Sequence, residues 1–479
     1  VERNGIARKD VIDIIILLAG TFVICLNQTL LSPALPTLMK QFNVAQTTVQ
    51  WLTSAYSLVM AIMTPVSPTL LGRFSSRNIF IAGLAIFTCG SALAAVATAF
   101  WMLLLGRVLQ AVAAGMTLTM SITLVMLIFP LERRGTCMGL IMLITGVAPA
   151  IGPTLSGLLI GAIGWRALFG LVVAIAIVAL LVSIKFLGSH GSFESTGFDA
   201  PSFILVAIGL VCMLYGFSSF ASAPNKAIIA ALVAAGIVIL AVFCRRQLKL
   251  SAPFLNIKVL AVRNYRAGAL IAMMIVGLTT GMSVIIPLYL QNACGYTALM
   301  TGLVMLPGAL LGALSGLVSG RLSDKVGSRA CAVPAAIVLV IALGTMCTFG
   351  VRTPLTFVAV SYAVMYIAMQ FLNTPVNAFA LSALPNEVIH HAQSLNNTLN
   401  YMFASLITAV TISVSSLVAG MSGAADQAVR TADGYHAAFV ILTAMVALIA
   451  VLTFVFIKGK PKRDAEEGAE SYAVEESQQ

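Results

Sequence analysis

The feature that most constrains this chain is a succession of apolar runs, most near twenty residues long, joined by short segments that hold nearly all of its charge. About twenty apolar residues in a helix cross the hydrocarbon core of a bilayer, and every backbone polar group there must be satisfied within the structure. Such a chain can fold only as a bundle of membrane helices. Its composition agrees: 60% of its 479 residues are hydrophobic and 9% are charged, against about 25% charged in soluble domains. The runs predict an all-α membrane protein with fourteen transmembrane helices, at 12–35, 48–70, 78–98, 101–129, 137–162, 167–187, 199–220, 226–244, 267–290, 299–319, 330–350, 354–382, 392–420 and 436–457.

The charges orient these spans. Basic residues gather in alternate connections: Arg3, Arg8 and Lys9; Arg73 and Arg77; Arg133 and Arg134; Lys185; a run from Arg245 to Arg266; Arg321, Lys325 and Arg329; and Lys458 to Arg463. The positive-inside rule makes these segments cytoplasmic. The opposite connections hold only Lys40, Arg166, Lys226, Arg352 and Arg430. Both termini are therefore expected in the cytoplasm of a multi-pass protein of the cell (inner) membrane. The net charge of +11 then reports topology and not a nucleic-acid partner. No cleavable signal peptide is expected, because the first apolar run leads straight into more spans. The cysteines, mostly inside apolar runs, have no metal spacing and read as small hydrophobes.

Three blocks follow. Residues 1–190 form an expected six-helix bundle, 191–250 an inserted two-helix pair, and 251–460 a second six-helix bundle. The acidic tail, 461–479, has the composition of a disordered segment. Gln247–Arg266 is a basic, partly amphipathic connector that suits the membrane surface.

Between two of the spans stands Gly320-Arg-Leu-Ser-Asp-Lys-Val-Gly-Ser-Arg329. Gly320 and Gly327 permit a tight turn, Arg321 and Arg329 mark the cytoplasmic side, and Asp324 sits where it can pair or cap. This charged hairpin resembles the signature loop of the major facilitator superfamily, and the resemblance implies a conformational latch. The equivalent loop of the first block, near Gly72–Arg77, lacks the acid. In span five, Pro149, Gly152, Pro153 and Gly157 favour close helix approach within lipid. They resemble the glycine-proline motif of the superfamily's exporters.

Arg107 and Gln110 in span four resemble an Arg-x-x-Gln-Gly motif, with Ala111 for the glycine. Arg107 is expected about 10 Å inside its span, where a charge is a functional candidate by default. Asn27 in span one, at about 12 Å, stands where the family usually has an aspartate. It is a candidate partner of Arg107. The Asn27 form, with Gln50-Trp51-Leu52-Thr53 and Tyr56, is similar to the lincomycin-resistance type of exporter in the fourteen-helix drug:proton antiporter branch. Gln370, Asn373 and Asn377 share one helix face, and Asn396, Asn397, Asn400 and Tyr401 begin span thirteen. These groups suit either a polar cavity wall or interhelical hydrogen bonding. Asn27, Gln50, Tyr56, Arg107, Gln110, Gln370, Asn373, Asn377, Asn400 and Tyr401 are the candidate substrate-binding residues.

The chain has no Gly-x-x-x-x-Gly-Lys-[Ser/Thr] phosphate loop and no catalytic or metal-binding constellation. Neither an enzyme nor a cofactor is expected. No acid occurs between Asp13 and Glu132, so the candidates for a coupling group all lie near the cytoplasmic edge: Asp13, Glu132, Asp199, Asp324, Glu387 and the pair His390-His391, each of which, Asp324 apart, reads first as a solvated loop charge. The expected function is secondary export of small amphipathic compounds, with protons as the coupling ion and the bilayer as the other partner. The unpaired Arg107 keeps a second reading open, an exporter of anionic amphiphiles such as bile-acid-like or lipid carboxylates. A membrane-embedded enzyme or a transporter-derived sensor is the alternative from another class.

Overall fold

A computed structural model of the chain describes residues 8–71, 73–128, 134–189, 199–220, 225–250, 253–384 and 389–457. Its regular structure there is entirely helical. The first half comprises α1 (Arg8–Leu30), α2 (Leu35–Phe42), α3 (Gln46–Val49), α4 (Trp51–Met63), α5 (Val66–Leu71), α6 (Ser76–Ala95), α7 (Phe100–Ile128), α8 (Arg134–Ile163) and α9 (Trp165–Phe186). A pair follows, α10 (Ala200–Ser219) and α11 (Lys226–Lys249). The last half comprises α12 (Arg263–Leu288), α13 (Ala298–Val326), α14 (Ser328–Met346), α15 (Leu355–Ser382), α16 (Ile389–Met421) and α17 (Gln427–Phe456). We call the face where α1 begins proximal and the face where it ends distal.

Twelve helices among the described residues are long and apolar enough to cross a membrane. Two expected spans are not among the twelve. The span at 48–70 is divided into α4 and α5 around Thr64 and Pro65. Of the span at 137–162, only Ile151–Ile163 registers as a shorter apolar helix, although α8 itself is 30 residues long. Leu, Ile and Val side chains remain exposed along α9, α10, α11 and α17, as expected where helices meet acyl chains instead of protein.

Short polar caps end the helices where the sequence turns. The Ser75 hydroxyl accepts from the Asn78 N–H at 3.3 Å, the Thr297 hydroxyl from Met300, and the Asp426 carboxylate from Ala428. These contacts satisfy donors left free at helix N-termini. The turn between α8 and α9 needs a positive φ, +85°, at Gly164.

The hairpin at 320–329 departs from the expected loop. α13 runs helically through Val326 and α14 starts at Ser328, so Gly327 alone breaks the helix, at φ +94°. Leu-Ser-Asp-Lys-Val holds no breaker, and the Gly327 N–H still closes on the Ser323 carbonyl at 2.9 Å. Gly327 provides the turn; Gly320 lies within α13 beside the Thr374 methyl. Arg321 is exposed, and Arg329 lies over the Phe454 ring at 5.3 Å. The Asp324 side chain is outside what is described, as are Gly72, Glu132 and Glu387.

The two halves touch from mid-depth to the distal face. A Cβ on Gly157 would stand 2.3 Å from the Ala298 carbonyl oxygen, and one on Gly302 would stand 2.7 Å from that of Pro153. Backbone of α8 therefore lies directly on backbone of α13. The Thr154 hydroxyl donates to the Gly302 carbonyl at 2.9 Å, and Ser405 of α16 donates to the Ser54 carbonyl of α4 at 2.8 Å. A π-helical turn, Tyr289–Ala293, extends α12. From it the Gln291 amide reaches the Pro33 carbonyl at 3.0 Å. Asn292 donates to the Tyr435 hydroxyl, which donates in turn to Gln46 at 3.1 Å.

The α10–α11 pair leans on this seam. Ser413 of α16 donates to the Phe217 carbonyl of α10, and Tyr215 of α10 packs against Trp51 of α4. Its proximal base is tied by Arg246, which pairs with Asp199 at 2.9 Å. Gln247 donates to the Ser202 hydroxyl at 2.6 Å and accepts from the Leu255 N–H at 2.9 Å. The connector after α11 thus folds back onto the base of α10.

Candidate functional site

The polar interior of the first half is built around Arg107. Its helix, α7, packs against α6 through close approach at Gly90 and Gly106: a Cβ on either would stand under 3 Å from the other's carbonyl oxygen. That approach sets Arg107 toward α1 and α4 rather than toward lipid. The side chain is fully buried, so it does not snorkel to either surface. Nε donates to the Leu52 carbonyl at 3.2 Å; Nη1 donates to Gln110 Oε1 at 2.9 Å and to the Asn27 carbonyl at 3.3 Å. The guanidinium lies 4.1 Å above the Tyr56 ring.

Gln110, one turn along α7, joins the group together. Its Oε1 also accepts from Asn27 Nδ2 at 3.1 Å, and its Nε2 donates to the Ser91 hydroxyl of α6 at 2.8 Å. Asn27 and Arg107 therefore meet, as their matched depths predict. The link differs from a direct side-chain pair: it runs through the Asn27 backbone carbonyl and through Gln110. Asn27 is in the last turn of α1, the negative end of that helix dipole, which favours a neighbouring cation. Ser91 was not legible as a site residue, because a serine in an apolar run carries no signal of what faces it. Gln50 is fully buried, and neither polar atom of its amide has a hydrogen-bond partner.

The amides of the last half behave otherwise. Asn377 donates to both the carbonyl and the side-chain oxygen of Asn373, each at 2.9 Å, and accepts from Asn396 of α16 at 2.9 Å. Gln393 donates to Asn397 at 3.1 Å. Asn373, Asn377 and Asn396 thus bind one another between α15 and α16. Gln370 is half-buried one turn distal, apart from this chain of bonds. Asn400 and Tyr401 stand further along α16. Tyr401 is within electrostatic reach of Tyr56 and Cys25. It is the point where the last half approaches the Arg107 cluster.

Span five does as its glycines suggest. Gly152 packs on α1, where an added Cβ would stand 2.4 Å from the Thr29 hydroxyl oxygen and 3.1 Å from the Leu26 carbonyl oxygen. Pro153 and Gly157 meet α13. The Pro149 side chain lies outside what is described. Hydroxyls with no neighbour across the helix bond back along their own: Thr117 to the Ala113 carbonyl, Ser121 to that of Thr117, Thr280 to that of Val276.

Two of the acids correct the expectation of solvated charges. Asp13 is fully buried near the start of α1 and accepts from the Gly188 N–H beyond α9 at 3.0 Å. A helix that packs from its second turn covers what the sequence counts as a membrane edge. Asp199 caps α10, hydrogen-bonded by both the N–H and the hydroxyl of Ser202. Burial pushes its carboxyl up, but the bonds from Arg246 and Ser202 prevail and hold it below its ordinary value of 3.8.

The profile of the Major Facilitator Superfamily matches residues 17–409. The chain is 35% identical over 470 residues to the uncharacterized MFS-type transporter YcnB of Bacillus subtilis, covering 98% of each chain. It is 32% identical to the lincomycin resistance protein LmrB of Listeria monocytogenes, over 84% of this chain and 85% of that one. Among solved structures, a bacterial homolog of the human lysosomal transporter Spinster, inward-facing and occupied, superposes with a TM-score of 0.68 at 15% identity. That match covers 95% of this chain and 97% of the other.

Proposed function

Because this chain belongs to the major facilitator superfamily, we propose that it exports small amphipathic compounds across the cell membrane by alternating access. In this reading fourteen helices cross the bilayer, the twelve long apolar helices together with α4–α5 and α8. Both termini are cytoplasmic, so the proximal face is the inner one. Residues 1–190 and 251–460 are the moving bundles, and 191–250 is the inserted pair.

The seam between α8 and α13 carries the reading. Gly157 and Gly302 bring two backbones into direct contact, crossed by the bond from the Thr154 hydroxyl to the Gly302 carbonyl. Such a surface can part and re-form at little cost, because few directional bonds must break. With the distal side closed in this way, a substrate would enter from the proximal side between the bundles, lined by Tyr56, Asn400, Tyr401 and Gln370. The likeness to lincomycin resistance proteins supports drug-like cargo.

Proton coupling belongs to the same proposal. Asp13 is the fully buried carboxylate among the described residues, and Asp324 in the hairpin would latch one conformation. Reconstitution in proteoliposomes with lincomycin and a panel of lipophilic dyes tests this. Efflux that accelerates with an imposed proton gradient is expected. Dye movement indifferent to any ion gradient would count against a coupled exporter, and none at all against export.

A further inference from the structure

Among the described residues, Arg107 is a buried cation whose partners are all neutral. They are the Leu52 and Asn27 carbonyls, the Gln110 amide and the face of Tyr56. Its Nη2 has no hydrogen-bond partner. Nor can an acid of the same region approach it, since from position 13 to position 27 along α1 is about 21 Å at 1.5 Å per residue. A buried guanidinium stripped of water is strongly disfavoured unless a counter-charge completes it. The α1 dipole offers only a fraction of one. The Gln50 amide, two residues before Leu52, is also buried without partners. Unpartnered atoms of both kinds lie in this region, the donors Arg107 Nη2 and Gln50 Nε2 and the acceptors Asn27 Oδ1 and Gln50 Oε1, and none of the acceptors carries a charge to offset the guanidinium.

The position of the cluster says where a counter-charge would come from. Arg107 lies over the Tyr56 ring, and α4, which carries Tyr56, packs on α16 of the last half. Tyr401 of α16 lies within electrostatic reach of Tyr56, and Ser405, one turn further, bonds α4 directly.

We propose that Arg107 is an anion subsite of the transport path and takes the carboxylate of an amphipathic substrate, with Nη2 as the donor. The inference rests on the export reading and narrows its substrate class to carboxylates. An apolar body would lie against Tyr401 and the faces of α4 and α16, while the carboxylate reaches past the Tyr56 ring. A charge-assisted bond of this kind is the strong sort. A carboxylate on the substrate performs what the aspartate missing at position 27 would otherwise do.

The test uses purified full-length protein and two probes alike except in charge, deoxycholate and its methyl ester. Binding is read by calorimetry in gluconate buffer. The wild type should bind deoxycholate about tenfold more tightly than the ester. Arg107→Gln should abolish that preference while leaving the ester's affinity in place. Asn27→Asp keeps Arg107 and supplies a carboxylate within the chain; it should abolish the preference too, which covers the case that Arg107→Gln fails to fold. Equal affinities in the wild type, or a preference that survives Asn27→Asp, would overturn the subsite. So would 150 mM chloride erasing the preference completely, since the site would then belong to an inorganic anion. Failure of export itself would show as absent proteoliposome flux with the binding difference intact, so the two failures are separable.

Discussion

The polar interiors of the two halves are built on opposite principles. In the first half a charged side chain, Arg107, is fully buried and draws carbonyls and amides from α1, α4 and α7 around itself. In the last half, Asn373, Asn377 and Asn396 pair amide with amide across α15 and α16 and need no charge. The first arrangement is demanding, because any loss leaves a desolvated cation or an orphaned carbonyl. The second holds together without a charge, although Asn396 Oδ1 stays unpartnered, and each of its bonds contributes about 0.6 kcal/mol in a membrane interior. On the proposal above, a charge that the protein does not neutralise is completed by a ligand, whereas amides bonded to one another are a fastening.

The largest expected effect falls on the charged side. Arg107→Gln should reduce export by about tenfold or more, because bonds to a charged group contribute about 1.5–3 kcal/mol each. Surface expression should stay near wild type. Flux measured on equal amounts of protein in the membrane checks this, and retained flux would break the contrast between the halves.

The seam between the halves comes next. Gly157→Val would drive side-chain carbons into the Ala298 carbonyl, which is backbone and cannot turn aside. The distal face should then stay open. Cys294, half-buried beyond the π-helical turn, should react several-fold faster with a membrane-impermeant maleimide added from that side. Labelling at the wild-type rate would show that the seam closes without the glycine.

On the neutral side the effect should be modest. Asn377→Ala removes three hydrogen bonds at about 0.6 kcal/mol each. The mutant should lower the melting temperature by a few degrees and keep more than half of the export. If it instead matched Arg107→Gln, the amides would be binding groups and not a fastening.

The smallest effect concerns the base of the inserted pair. The folded carboxyl of Asp199 is held below its unfolded value, so its contribution is present above that value and is lost as pH falls through the lower, folded one. From pH 8 to pH 5 the pair with Arg246 should hold unchanged, and Asp199→Asn should cost about 1 kcal/mol or less because Arg246 is partly solvated. A titration in thermal stability between pH 5 and 7 that disappears in Asp199→Asn would assign this carboxyl a different environment.

Much of this could be read along the chain. Depth is additive along a helix, so counting residues from the ends of two apolar runs brought Asn27 and Arg107 to one level. Glycine spacing in α8 foretold close approach because a missing Cβ acts the same way on any helix. Burial at the membrane edge was not legible: Asp13 sits near a basic terminus, and nothing local reveals that the chain beyond α9 folds over it. The hairpin at 320–329 was misjudged because charge density marks exposure, not loss of helix, and only Gly327 leaves the helix there.

What the sequence by itself determined is a set of apolar helices, their alternation between two faces, and the depth of each polar group, since all three follow from rise per residue and from the cost of unpaired backbone in lipid. Which groups face one another was decided only by the tertiary structure. That Gln110 and the Asn27 backbone carbonyl rather than the Asn27 side chain meet Arg107, that α8 lies on α13, and that the asparagines of α15 pair with α16 all depend on the rotation of each helix about its axis. In lipid the apolar surface no longer fixes that rotation, because acyl chains and leucines are equally good neighbours; close packing and a few polar contacts fix it instead.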